Sequence, residues 1–60
     1  MTNKEILTFL RDAGRPVWFR QLANWFPGDS EEAELFRRVR FLVECGYIRR
    51  LKNGMLEIAG

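Results

Sequence analysis

The sequence contains no histidine, a single cysteine and no long hydrophobic run, and each lack excludes a class of protein. Without histidine or a glycine-rich phosphate loop, the chain lacks the usual general base, the commonest metal ligand and a nucleotide cradle. Cys45 has no partner for an internal disulfide, which favours a reducing compartment. No apolar run approaches the roughly 18 residues of a membrane span, and the first residues do not resemble a signal peptide. We therefore expect a cytoplasmic protein that is not an enzyme, with no cofactor, metal site, small-molecule substrate or membrane contact.

The sequence is rich in aromatic side chains, and its charge is unevenly distributed. Sixty residues make one small domain, residues 1–60, and the 13% aromatic content supplies bulky side chains for a core that must otherwise be thin. The formal net charge of +2 is uneven: residues 1–28 carry +2, residues 29–46 carry −2 and residues 47–60 carry +2. The positive excess therefore lies outside the longest predicted helix.

Capping signals predict the first helix. Thr2-Asn3-Lys4-Glu5 is a capping box, the helix continues to about Asp12, and Gly14 ends it before Pro16. Apolar residues follow the helical period along this segment. The inward positions are Ile6, Leu7, Phe9, Leu10 and Ala13.

Two further helices are predicted before residue 46. Val17 and Trp18 form a short extended piece, which is a candidate third strand, and Phe19 to Phe26 form a short helix that Pro27-Gly28 ends. Asp29 or Ser30 caps the third helix, which runs to about Cys45 before Gly46. The second helix turns Phe19, Leu22, Ala23 and Phe26 inward, and the third has a buried stripe of Leu35, Phe36, Val39, Leu42 and Val43.

The last fourteen residues predict a β-hairpin. Asn53-Gly54 favours a two-residue type I′ turn, which pairs Lys52 with Met55, Leu51 with Leu56 and Arg50 with Glu57. In this register Leu51, Leu56 and Ile58 face the helices, while the Arg50–Glu57 pair faces water. The fold class is therefore α+β and mainly α, with three helices followed by a C-terminal hairpin.

This order resembles the winged helix-turn-helix domains of bacterial, archaeal and phage transcription regulators. The segments that carry the resemblance are Ala13-Gly-Arg-Pro-Val17, Arg20-Gln-Leu-Ala23 and Val39-Arg-Phe-Leu-Val-Glu-Cys-Gly-Tyr-Ile-Arg-Arg50. The resemblance covers essentially the whole chain and implies a small regulator that binds duplex DNA, with its hairpin as the wing. The small size favours a phage or mobile-element protein.

The resemblance also implies which residues contact DNA. The third helix would enter the major groove, and the wing would lie along the backbone or the minor groove. Glu34, Arg37, Arg38 and Phe41 would face bases and phosphates; Arg49, Arg50, Lys52 and Asn53 would hold the flanking backbone; and Arg20 and Gln21 would make secondary phosphate contacts.

Two departures from the family pattern support an alternative, a protein-interaction module. Glu31, Glu32 and Glu34 open the third helix, where carboxylates would repel phosphates. Phe41 lies on the polar face of the same helix and favours a protein partner or a homodimer. The candidate protein-binding residues are Phe41, Glu34, Cys45 and Trp25.

Simpler interpretations remain for the same residues. The wing cations would also suit a solvated strand that protects a sheet edge, and Glu34–Arg38 and Arg40–Glu44 have the spacing of salt bridges within a helix. Trp18 and Trp25 would also serve as core or covering residues, and Cys45 as an inert helix-end residue.

Overall fold

Three helices precede a two-stranded antiparallel hairpin in the computed structural model, which describes residues 2–26 and 32–59. The elements are α1 (Asn3–Ala13), α2 (Phe19–Trp25), α3 (Glu32–Glu44), β1 (Ile48–Arg50) and β2 (Leu56–Ile58). The predicted α+β, mainly α class and its element order are confirmed. The predicted Pro27-Gly28 stop and the Asp29 or Ser30 cap lie outside the described residues. No helix within the described ranges is long and apolar enough to cross a membrane.

The capping box at the start of α1 forms as predicted. The Thr2 hydroxyl accepts from the Glu5 amide at 3.1 Å, and the Thr2 amide donates to the Glu5 carboxylate at 2.8 Å. Two of the amides that the first turn leaves without helical partners are thereby satisfied. At the other end Gly14 adopts a φ of 67°, the left-handed conformation that glycine accepts without strain, and α1 stops.

The chain between α1 and α2 joins the hairpin. Val17 and Leu56 exchange two backbone hydrogen bonds, each 2.8 Å long, and both side chains are buried. The predicted third strand is therefore present as a single bridge. The next residue, Trp18, is the N-cap of α2, and its amide donates to the side-chain oxygen of Gln21 at 2.8 Å.

The predicted hairpin register is wrong by one residue. Ile48 pairs with Ile58, Arg49 with Glu57 and Arg50 with Leu56, so neither the Arg50–Glu57 pair nor the Leu51–Leu56 pair forms. The Leu51 amide donates to the Met55 carbonyl, which leaves a three-residue loop instead of two. Only Gly54 of that loop has a positive φ, 92°, whereas a type I′ turn needs two such residues. The Asn53 side chain instead accepts from the Met55 amide at 3.0 Å, an Asx-type bond that stabilises the wider loop.

Nine apolar side chains from all parts of the chain form the core. Because no buried polar side chain occurs among the described residues, apolar burial is the main favourable term in folding. The core residues are Ile6, Leu10, Val17, Leu22, Leu35, Val39, Leu42, Ile48 and Leu56. Eight further predicted inward residues are partly buried and pack against this core: Leu7, Phe9, Ala13, Phe19, Ala23, Phe26, Val43 and Ile58.

Phe36 departs from its predicted burial. It was expected in the α3 stripe with Leu35 and Val39, but half of its surface is exposed. Its ring contacts Phe19 of α2 edge-on, with centroids 6.0 Å apart. Phe36 lies at the margin of the stripe, where the small domain does not cover it completely.

We expect Thr2→Ala to lower the free energy of unfolding by about 1 kcal/mol, because it removes the acceptor that caps α1. Thr8→Ala is the matched control, since Thr8 is exposed within the same helix and alanine has the higher helix propensity. Urea denaturation followed by circular dichroism measures both variants. Equal midpoints for the two variants would contradict a stabilising cap.

Candidate nucleic-acid interface

A groove between α3 and the hairpin is lined by two arginines from consecutive elements of the chain. Arg40 of α3 and Arg50 of β1 both line it, and its volume is about 280 Å³. We call it the α3–hairpin groove. Its lining residues are Phe19, Phe36, Val39, Arg40, Arg50, Gly54 and Leu56.

The corrected register explains why Arg50 reaches this groove. Successive side chains of a strand point to opposite faces, so Arg50 shares a face with Ile48 and with its cross-strand partner Leu56. That face is packed on the helices, because Ile48 and Leu56 are buried. The sequence-based register instead directed Arg50 to water.

Arg40 is the groove residue that sequence analysis missed. Its Nε lies 3.5 Å from the Glu44 carboxylate, and both side chains are 67% exposed. Because water screens this pair, Glu44 holds Arg40 only weakly. The helical spacing already placed Arg40 one residue from the core residue Val39. This position indicates that Arg40 borders the buried face of α3, but the expected Arg40–Glu44 salt bridge kept Arg40 out of the predicted site.

Two further cations of this region have no salt bridge within the described ranges. Arg37 is exposed on α3, and Lys52 is exposed in the hairpin loop. Both were predicted to contact nucleic acid. Their charge is available to an external anion without first breaking an ion pair.

Arg38 was predicted to contact DNA, but the protein itself occupies its donors. Its Nε and Nη2 donate to the Glu34 carboxylate at 3.0 and 2.8 Å, and its Nη1 donates to the Asn3 side chain at 3.1 Å. Arg38 therefore fastens α3 to the start of α1. The same contacts neutralise Glu34, one of the carboxylates expected to repel phosphate.

The other predicted nucleic-acid residues are also engaged within the protein. Arg49 contacts the Glu57 carboxylate at 3.0 Å on the other face of the hairpin from Arg50. Arg20 lies 3.6 Å from Glu32, which links α2 to α3 in an exposed pair. Asn53 holds the hairpin loop through Met55. Of the predicted set, only Arg50 lines the α3–hairpin groove.

The predicted protein-binding residues are exposed and lie on α2 and on or next to α3. Phe41 is 53% exposed on α3 and Cys45, one turn later, is also exposed. Trp25 is 63% exposed and contacts Phe9 of α1, with ring centroids 5.3 Å apart. Neither ring contact found among the described residues, Phe9–Trp25 or Phe19–Phe36, includes Phe41.

A larger cleft, of about 590 Å³, lies between α1 and α2 and is less suited to phosphate. Its charged lining mixes Lys4 and Arg15 with Glu5 and Asp12, so it carries no net positive charge. Among the described residues no group of three or more His, Cys, Asp or Glu side chains is placed to hold a metal ion.

Comparison of the chain with protein-family models, with curated proteins and with solved structures finds no significant match. The interpretation of the site therefore depends on its geometry and its charges.

Arg37 and Arg38 are adjacent but have different environments, so we expect substitutions at the two positions to change stability by different amounts. Arg38→Gln removes the contacts with Glu34 and Asn3 and is expected to lower the free energy of unfolding by about 1 kcal/mol. Arg37→Gln makes the same charge change beside it and should alter stability by less than about 0.5 kcal/mol. Chemical denaturation of both variants measures the difference. Equal losses would show that Arg38 does not fasten α3 to α1.

Proposed function

We propose that this chain binds duplex DNA through α3 and the hairpin loop. The observation that carries the proposal is the convergence of Arg40 and Arg50 on the α3–hairpin groove, next to the hairpin loop that holds Lys52. Cations that come from separate elements and meet on one surface suit the closely spaced phosphates of a duplex. Phosphate contacts of this kind position a protein on DNA.

The ion pairs of α3 weaken one objection to this function. The acidic first turn of the helix would repel phosphate if its carboxylates were uncompensated. Glu34 is paired with Arg38, and Glu32 lies close to Arg20. Glu34 is therefore largely neutralised, whereas water screens the exposed Arg20–Glu32 pair, so that Glu32 is offset only in part. Glu31 lies outside the described residues.

The topology supports a winged helix-turn-helix arrangement, which we propose together with the function. Two helices are followed by a longer third helix, and a hairpin follows directly. The strand-like residue Val17, between α1 and α2, pairs with β2. In the resembling family the third helix enters the major groove and the wing flanks it. In this chain that mode places Arg37 and Phe41 towards the bases, and Lys52 towards the backbone.

The proposal has a quantitative consequence for salt dependence. If Arg37, Arg40, Arg50 and Lys52 each neutralise one phosphate, the logarithm of the association constant falls with the logarithm of salt concentration with a slope of about −3.6. This electrostatic binding is largely independent of base sequence.

Lys52→Gln is expected to weaken binding to any duplex several-fold and to reduce the magnitude of the salt slope by about 0.9, because one phosphate contact is lost. Lys4→Gln is the matched control: it makes the same change in the cleft between α1 and α2. Fluorescence anisotropy with a labelled duplex over a series of salt concentrations measures both quantities. If the two variants lose affinity equally, or if the wild-type protein does not bind duplex at low salt, the proposal is wrong.

A separate observation favours protein binding as a second candidate function. Phe41 exposes 53% of its surface on the solvent side of α3, and no ring contact within the described ranges covers it. Aromatic residues are enriched at protein interfaces. A second copy of the chain is the simplest partner, and this mode is an alternative to the one in which Phe41 faces the bases.

Under this second proposal, the sedimentation coefficient of the wild-type protein rises with concentration and that of Phe41→Ala stays at the monomer value. Phe36→Ala is the matched control, because Phe36 is 50% exposed on the same helix but lines the α3–hairpin groove. Sedimentation velocity over a concentration series makes the measurement. A wild-type protein that stays monomeric throughout would exclude self-association through Phe41.

A further inference from the structure

The α3–hairpin groove has an apolar floor that duplex phosphates do not use. Val39 and Leu56 are buried beneath it, and Phe19 and Phe36 line it with aromatic rings. Phe36 still exposes half of its surface after contacting Phe19. A groove that served only phosphate contacts would need its arginines but no exposed phenyl ring.

The charged and apolar parts of this groove match the two parts of a nucleotide. Arg40 and Arg50 line the same space as Phe19 and Phe36. An unpaired nucleotide presents a flat base next to a phosphate, and proteins bind single strands by stacking bases on aromatic rings while cations track the backbone. A base within a duplex is already stacked and paired, so it cannot enter a groove of this kind.

The hairpin loop leaves room for such an occupant. Gly54 lines the groove without a side chain, and its φ of 92° is a conformation that other residues rarely adopt. A Cβ at this position would lie 3.9 Å from the Trp18 ring, so Trp18 lies close to the hairpin loop. Trp18 is half-exposed and is, after Phe36, a second aromatic surface near the groove. The groove volume of about 280 Å³ is sufficient for one base.

We propose that the α3–hairpin groove binds an unpaired nucleobase at the end of a duplex, with the flanking phosphates on Arg40 and Arg50. This inference rests on the proposed DNA-binding function and narrows its substrate to a junction between double-stranded and single-stranded DNA. Phe36 supplies the stacking surface, and the cations of α3 and of the hairpin hold the adjoining duplex.

The experiment compares a blunt-ended labelled duplex with the same duplex carrying a short single-stranded thymidine overhang at a 5′ end or at a 3′ end. The readout is the ratio of the dissociation constant of the blunt form to that of the more tightly bound overhang form, measured by fluorescence anisotropy at one salt concentration. A single stacked base should make the wild-type protein bind one overhang form about 5- to 100-fold more tightly than the blunt form.

Phe36→Ala should bring this ratio close to one while leaving the affinity for blunt duplex nearly unchanged. Phe36→Leu keeps an apolar side chain in contact with the core but removes the aromatic face, so it should lose most of the preference without unfolding the protein. Tyr47→Ala removes a ring that is 57% exposed and does not line the groove, so the preference should remain.

The outcomes separate this inference from the function on which it rests. Binding to both forms with a ratio near one, or a preference that Phe36→Leu retains, overturns the groove proposal and leaves duplex binding in place. If neither form binds, both proposals fail. If the free protein self-associates and Phe36→Leu abolishes that association, a second copy occupies the groove and the proposal is likewise overturned.

Discussion

The pairing of Val17 with Leu56 is the constraint on which the rest of this small structure depends. Two backbone hydrogen bonds join the segment between α1 and α2 to the second strand of the hairpin. A two-stranded hairpin is at best marginally stable by itself in water, and this third contact, together with burial of Ile48 and Leu56, attaches it to the helices. The attachment sets the position of β1, and β1 sets the position of Arg50 beside α3.

Charge on α3 is divided between structural and available cations. Arg38 is committed to Glu34 and Asn3, whereas Arg37 has no salt bridge within the described ranges and Arg40 has only a screened one. The acids of the helix thus neutralise part of its own charge, and the positive excess of the hairpin is added at one end of the same surface. A nearly neutral helix beside a cationic loop explains how a chain with a net charge of only +2 has a candidate phosphate-binding surface.

Local signals predicted most of the fold, and long-range geometry accounts for what they missed. The capping box, Gly14 and the helical period of α1 act within a few residues, so they are readable from sequence and are confirmed. The hairpin register was wrong because Asn53-Gly54 suits two loop types, and the burial of Ile48, Leu56 and Ile58 against the helices decides between them. That single-residue error concealed the fact that Arg50 shares a face of the hairpin with Ile48 and Leu56. The groove itself was therefore not predicted, since it depends on how the hairpin packs against α3 and not on a local sequence pattern.

The distribution of core residues over all five elements and the Val17 segment has a consequence for how this protein can vary. Ile48 and Leu56 come from the hairpin, and without them the buried set loses two of its nine members. The hairpin and the helices therefore share one core, and we expect them to fold in one cooperative transition. Substitutions on the outer face of the hairpin, such as at Arg49, leave this shared core and the strand register intact, whereas substitutions at Ile48 or Leu56 disturb both the helices and the hairpin.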